Sequence, residues 1–287
     1  MHVLQLVPSL DVGGVERGVL DVAKGLIGRG HRVSVISSGG SLVEPLTRMG
    51  ATHLELPVHR KSLRSIWSCV PAVERFIREQ SVDVVHARSR IPGWIGLFAA
   101  RRSQRPFLTT AHGFYAPHAA SRVMGWGRLV IAPSEALARY LIDRFRVPRE
   151  RLRVIPRGVD LDTFTFQALS PHPGPWRIGL FGRMSPIKGG AVALRACAQL
   201  LRKGIPVKLV IAGGADVSPA RQAMESLIAS LALEDAVEWL GVRRDMPELI
   251  ASVDAVIAPS IYPESFGRSA LEAQAVGRAV IASNLGA

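Results

Sequence analysis

Glu264 and Glu272 lie in PESFGRSALEAQAVG, residues 263–277, with seven residues between them, and Phe266 and Gly267 follow the first. A carboxylate accepts bidentate hydrogen bonds from vicinal hydroxyls, which suits a ribose. The plainer alternative is a loop acid followed by an exposed helix acid. A second group is LFGRMSPIKGG, residues 180–190, where Arg183 and Lys188 surround a strand-to-helix turn that Gly189 and Gly190 carry into the helix. Two cations at a helix N-terminus oppose that helix's own dipole. A bound diphosphate relieves the conflict, with Arg183 as a planar fork and Lys188 as a point charge; two solvated side chains are the competing explanation.

A third group, SLDVGGVERG, residues 9–18, follows the first strand run. Gly13 and Gly14 let the backbone approach a ligand, and the helix start supplies free N–H groups. A tight turn without a ligand is the alternative. The G-x-G-x-x-G spacing is absent, and the second strand run ends in VISSGG without an acid placed for a ribose, so a nicotinamide enzyme is disfavoured. Two acids for hydroxyls, two cations for phosphates and a glycine-lined helix start together describe a nucleotide-sugar site.

These residues must be held by an alternation of short apolar runs and amphipathic stretches. HVLQLVP, RVSVIS, THLELP, VDVVHARS, PFLTTAH, RLVIAPS and RLRVIP read as strands, with helices such as VERGVLDVAKGLIGRG and SIWSCVPAVERFIREQ between them; Pro71 in the latter predicts a kink or a late start. Such strands predict parallel sheets covered on both faces. TFQALSPHPGPW, residues 165–176, has three prolines, a glycine and no periodicity, and reads as a linker. The alternation restarts at RIGLFG. The expected architecture is therefore two doubly wound, Rossmann-like α/β domains facing a cleft, over residues 1–164 and 177–287. The second stops at AVIASNLGA, one loop beyond a strand, so it is expected to be incomplete.

Bulk properties narrow the partners. The 287 residues carry a formal net charge of +13, which favours an anionic partner. Residues 1–163 hold 24 Lys and Arg against 13 Asp and Glu, and the remainder 12 against 10, so the first half carries most of the basic field. RSRIPGWIGLFAARRSQR, residues 88–105, sets Trp94, Ile95, Leu97 and Phe98 among Arg88, Arg90, Arg101, Arg102 and Arg105. That pattern suits an anionic membrane surface or a phosphorylated, lipid-linked acceptor, or equally a core-facing helix with a solvated side. No nucleic-acid motif accompanies the charge, so nucleic acid is not an expected partner. Cys69 and Cys197 are far apart and lack metal-ligand spacing, which predicts buried thiols in a reducing cytosol. MHVLQLVPSLDVGG reads as a first strand and not as a leader, and no apolar run is long enough to span a bilayer. The expected location is cytoplasmic, or peripheral on the cytoplasmic membrane face.

The spacing of Glu264 and Glu272 around Phe266 and Gly267 resembles the E-x7-E motif of the retaining glycosyltransferases of family 4, which have the GT-B fold. GGVE after the first strand, AHG at 111–113, IPRGVDLDTF before the linker and GRMSPIKG occur in the family's order. The resemblance implies that Arg183 and Lys188 bind the donor diphosphate, Glu272 the ribose, and Glu264 the donor sugar beside the Phe266 and Gly267 backbone. It places His112 near the transferred sugar and Gly14 on the glycine loop reaching across the cleft. It implies neither metal, cofactor nor obligatory covalent nucleophile: the acceptor hydroxyl attacks from the face the nucleotide diphosphate leaves. The D-x-D of Asp160–Asp162 is then a structural turn, while His86 has no assigned role. The expected activity is sugar transfer from a UDP- or GDP-linked donor to a glycan or lipid-linked acceptor, in lipopolysaccharide or other envelope synthesis. A non-hydrolysing nucleotide-sugar epimerase and an inactive fragment are the rivals.

Overall fold

The computed structural model describes residues 1–11, 13–214 and 219–286; Val12 of the glycine turn and Ala287 of AVIASNLGA lie outside that set. The chain divides into two compact units, Met1–Arg157 and Gly158–Ala287.

Unit 1 contains β1 (His2–Leu6), β2 (Arg32–Ser37), β3 (Thr52–Glu55), β4 (Val84–Ala87), β5 (Phe107–Thr110), β6 (Leu129–Ala132) and β7 (Leu152–Val154). Its helices are α1 (Gly14–Ile27), α2 (Val43–Arg48), α3 (Leu63–Glu79), α4 (Arg90–Arg102) and α5 (Glu135–Phe145). The strands form one parallel sheet in the order β3-β2-β1-β4-β5-β6-β7. Parallel strands need crossovers, and the amphipathic helices supply both those and the cover for two apolar faces. Leu4 and Leu6 pack with Val73 and Ile77 of α3 and Ile95 and Ala99 of α4. Val33 and Val35 pack with Val19 and Ala23 of α1. Burial of each such side chain contributes about 1.5–3 kcal/mol. Ser62 and Ser134 cap α3 and α5 by accepting from the N–H groups of Ser65 and Leu137. Pro71 lies inside α3, which runs on either side of it, so the late start does not occur.

The 88–105 stretch divides by burial. Ile95 and Leu97 are core residues, so α4 is the core-facing helix of the two alternatives. At its edge Phe98 stacks on Trp67 and Trp94, and Trp94 meets Trp126 edge-on. Trp67 and Trp126 remain about half exposed, at 48% and 44%.

Unit 2 contains β8 (Trp176–Phe181), β9 (Val207–Ala212), β10 (Val237–Trp239), β11 (Ala255–Ala258) and β12 (Ala279–Ala282), with α6 (Gly190–Arg202), α7 (Pro219–Ser230), α8 (Met246–Ala251) and α9 (Arg268–Val276). Its parallel sheet has the order β10-β9-β8-β11-β12. One face packs against α6 and α7 through Leu194, Cys197, Leu209 and Met224, and the other against α8 and α9 through Val210, Ile250, Val256 and Ala273. Cys69 and Cys197 are both buried, which pushes their thiols up.

The boundary falls before Gly158, ahead of the 165–176 stretch, for a packing reason. Phe164 is buried in the core of unit 2, and Gln167 N donates to Val276 O at 3.1 Å. Arg278 Nη1 donates to Gln167 O at 2.6 Å, and Trp176 already opens β8. Aromatic anchoring of an aperiodic segment leaves no helix or strand period to read.

Candidate functional site

Doubly wound sheets hold ligands beyond the carboxyl ends of the strands, where the strand order reverses. Each unit has such a point: between β1 and β4 in unit 1, and between β8 and β11 in unit 2. Gly14, Arg183, Lys188, Glu264, Phe266 and Gly267 lie on the connections that leave these strands, while Glu272 is inside the helix after β11 and His112 follows β5.

In unit 2, β8 leads through Gly182 and Arg183 to a single 3-10 turn, Pro186–Lys188, and then to α6. Gly189 joins turn to helix with φ 73°, and a Cβ there would collide with the Pro259 carbonyl. Glycine is therefore required by both backbone conformation and close approach. Ile261 N donates to Ile187 O at 2.9 Å, so the loop after β11 is tied to the turn after β8. Lys188 Nζ then donates to Glu264 Oε1 at 2.6 Å, and the Ser260 hydroxyl donates to the same carboxylate oxygen. Glu264 is pinned through its backbone as well, its N–H donating to Leu285 O at 3.0 Å. The carboxylate expected beside the donor sugar is thus already paired with the cation expected to bind phosphate.

Gly267 caps α9 with φ 81°, the half-buried Phe266 precedes it, and a Cβ on Gly267 would meet nothing within 4 Å. The first-turn N–H groups of α9 form the anion-favouring helix start that the glycine predicted. Glu272 lies one turn inside α9, where its Oε1 accepts from Arg268 Nε at 2.7 Å. Arg183 is exposed on the loop after β8. The structure therefore unites Lys188 and Glu264 directly, couples Glu272 to Arg268, and leaves Arg183 in solvent on the same β8–α6 connection.

In unit 1, Gly14 is the first residue of α1 and its carbonyl accepts from Arg157 Nη1 at 2.5 Å. The other Arg157 nitrogen, Nη2, donates to Nδ1 of His112, just beyond β5. A guanidinium can only donate, so neutral His112 carries its proton on Nε2. Burial, followed by the fields of Arg88, Arg157 and His86, holds the His112 pKa well below the ordinary histidine value. His86, at the end of β4, is buried with Nε2 2.7 Å from Thr110 Oγ1. Its pKa is lowered to about 3 by burial and then by Arg88. Both imidazoles are neutral at physiological pH and serve as hydrogen-bonding groups.

Sequence reasoning missed three participants. Arg88 belongs to the 88–105 basic stretch by composition, yet it is only 5% exposed; its place just after β4, at the strand-order reversal, was the available signal. Arg157 stood inside IPRGVDLDTF as a family marker with no role. Ser260 closes the strand run VDAVIAPS and carried no motif. The Asp160 side chain accepts from Asp162 N at 3.2 Å and from Thr163 Oγ1 at 3.3 Å, the geometry of a local turn. Among the described residues no group of three or more His, Cys, Asp or Glu is placed to hold a metal.

The family profile described as Glycosyltransferase Family 4 matches residues 12–163, and that described as Glycosyl transferases group 1 matches residues 163–287. The chain belongs to glycosyltransferase family 4. A solved glycosyltransferase from Rickettsia africae is 31% identical, covering 99% of this chain and 79% of that one with a TM-score of 0.86. The Anabaena HepE structure in complex with UDP and glucose is 25% identical, with 99% and 81% coverage and a TM-score of 0.83. A D-inositol 3-phosphate glycosyltransferase of Nocardia farcinica is 30% identical over 234 residues, 71% of this chain; the chain spans about half of that relative, 52%. The solved relatives share the two Rossmann-like domains of the GT-B fold.

Proposed function

We propose that the chain is a retaining glycosyltransferase taking its sugar from a nucleotide-diphosphate donor. The observation that carries this reading is the union of the β8–α6 turn with the β11–α9 loop through Lys188 and Glu264. It sets a cation for phosphate and a carboxylate for sugar hydroxyls side by side, next to two helix starts. The complex of the Anabaena relative with UDP and glucose supports a nucleotide donor of that kind. Arg183 and Lys188, with the first turn of α6, stabilise charge developing on the departing diphosphate. The Glu272 carboxylate accepts the ribose hydroxyls, and Glu264, beside the Phe266–Gly267 backbone, orients the donor sugar. The bond from the anomeric carbon to the diphosphate oxygen breaks as the acceptor oxygen bonds to the same face. The acceptor proton passes to the departing phosphate oxygen. Neither carboxylate is an acid or base flanking the scissile bond, as in a glycosidase, and the scheme requires no metal or cofactor.

The acceptor is a glycan or lipid-linked hydroxyl compound of envelope or lipopolysaccharide synthesis, received by unit 1 at an anionic membrane face. Half-exposed Trp67 and Trp126 and the exposed Leu63 support that face, as does the excess of arginine in unit 1. No helix among the described residues is long and apolar enough to cross a membrane.

Thermal unfolding with UDP and GDP, followed by a screen of nucleotide sugars, tests the reading, because selective binding to the folded state raises its midpoint. Glu264→Ala is expected to retain the nucleotide response while losing transfer. Turnover of a nucleotide sugar with no acceptor present indicates the epimerase instead, and no response to either nucleotide ends the proposal.

A further inference from the structure

Arg88 poses a problem that the fold alone does not solve. Its guanidinium is buried at 5% exposure, and among the described residues its one hydrogen bond runs from Nη1 to Gln5 Oε1 at 3.1 Å. Gln5 is itself fully buried and spends its own amide on Val19 O at 3.2 Å, so the partner is a neutral group. Arg88 Nε has no partner, and no carboxylate lies within ion-pairing distance among the described residues. Burying a guanidinium without a counter-charge costs several kcal/mol. Buried donors without a protein partner are rare in folded proteins and call for one.

A second cation faces the same space. A Cβ on Gly18 would lie 2.9 Å from Nη2 of Arg88 and 3.6 Å from Nη1 of Arg157, so two guanidiniums converge on the first turns of α1. Glu16 and Asp21 are the acids whose fields reach Arg88. The Glu16 carboxylate is folded onto Gly13 at the helix cap, and Asp21 is exposed. Burial, then Arg157, brings the Arg88 pKa down to about 9, so the cation persists at neutral pH. His86, His112 and Tyr115, also at this place, are neutral and cannot supply a counter-ion. The convergence lies at the β1/β4 reversal, where a doubly wound sheet seats its ligand.

We propose that Arg88 and Arg157 form an anion receptor in unit 1, reading a phosphate ester or a carboxylate on a substrate of the transferase. The inference rests on the transferase reading for the word substrate, while the receptor is defined by these residues alone. Arg88 is the buried fork that approaches the anion, and Arg157 both contributes a donor and positions the neutral His112 beside it. The substrate therefore carries negative charge besides the donor diphosphate, either as a sugar phosphate or as a uronic acid.

The test uses the full chain carrying Arg183→Ala and Lys188→Ala, which removes the cations proposed for the diphosphate. Its unfolding midpoint is measured with inorganic phosphate, with glucuronate and with glucose, at matched ionic strength. Phosphate or glucuronate is expected to raise the midpoint and glucose to leave it unchanged; the stronger anion identifies the ester or the carboxylate. Arg88→Met in the same background is expected to be at least as stable without these anions and to gain nothing from them, since an apolar side chain relieves an unpaired buried charge. Equal anion stabilisation of the Met variant overturns the proposal by making Arg88 structural. If the Met variant is less stable in every buffer or does not fold, calorimetry on Arg157→Gln decides. A phosphate or glucuronate affinity weakened by about 10-fold supports the receptor and an unchanged one refutes it. The response of the unmodified chain to UDP and GDP separates the two readings: absence of both sinks the donor site and leaves the anion receptor standing.

Discussion

The two strand-order reversals present the same topology with opposite electrostatic preparation. In unit 2 both carboxylates of the E-x7-E spacing have a cation: Lys188 holds Glu264 at 2.6 Å and Arg268 holds Glu272 at 2.7 Å. In unit 1 a buried arginine rests on a neutral amide and shares its space with a second arginine. A ligand entering unit 2 meets two carboxylates already bonded to cations, with exposed Arg183 beside them. At the unit 1 reversal Arg88 has no carboxylate partner among the described residues. Topology thus selects where a ligand sits, and the side chains at the strand ends select its charge.

The largest expected effect tests how strictly the unit 2 turn is built. Gly189→Ala must adopt a left-handed φ of 73° with its methyl against the Pro259 carbonyl, so a loss of about 3 kcal/mol or more is expected in urea unfolding. A loss below about 1 kcal/mol would show that the turn yields, and that its union with the β11–α9 loop is not rigid.

Next in size is Glu272→Ala, which removes the charge-assisted acceptor that Arg268 bonds. Nucleotide affinity by calorimetry is expected to fall by about 10- to 100-fold. Unchanged affinity would mean that the pair with Arg268 is structural and that the ribose is read elsewhere.

A pH series sharpens the unit 1 side. Folded His86 titrates at about 3, below the ordinary 6.5 expected for the unfolded chain. Between those values the unfolded chain binds a proton that the folded chain refuses. Stability is therefore full above pH 6.5 and declines as the pH falls toward 3, by up to about 1.4 kcal/mol per pH unit. Denaturation from neutral to about pH 4.5 should show a shallower decline for His86→Gln. An identical slope in that variant would place the proton uptake on other groups.

The smallest effect is expected from Gly14→Ala. The backbone there needs no glycine, since an added Cβ meets only Arg157 Nη1 at 3.9 Å, and stability should change by less than about 0.5 kcal/mol. Any deficit should appear in substrate binding, which separates a glycine kept for a ligand from Gly189, kept for the fold.

The sequence by itself determined the order of strands and helices, the two parallel sheets, and the loops that carry Arg183, Lys188, Glu264 and Glu272. Those features follow from local hydrophobic period and turn chemistry, which neighbouring residues write into a short window. The tertiary structure alone decided the pairings. Lys188 meets Glu264 across 76 residues and Arg157 reaches Gly14 across 143, because strand order brings distant loops to one sheet edge. It also decided that Phe164 belongs to the second core and that Arg88, charged and placed in a basic run, lies buried. Burial depends on what packs over a side chain from elsewhere in the chain, and no local spacing records that.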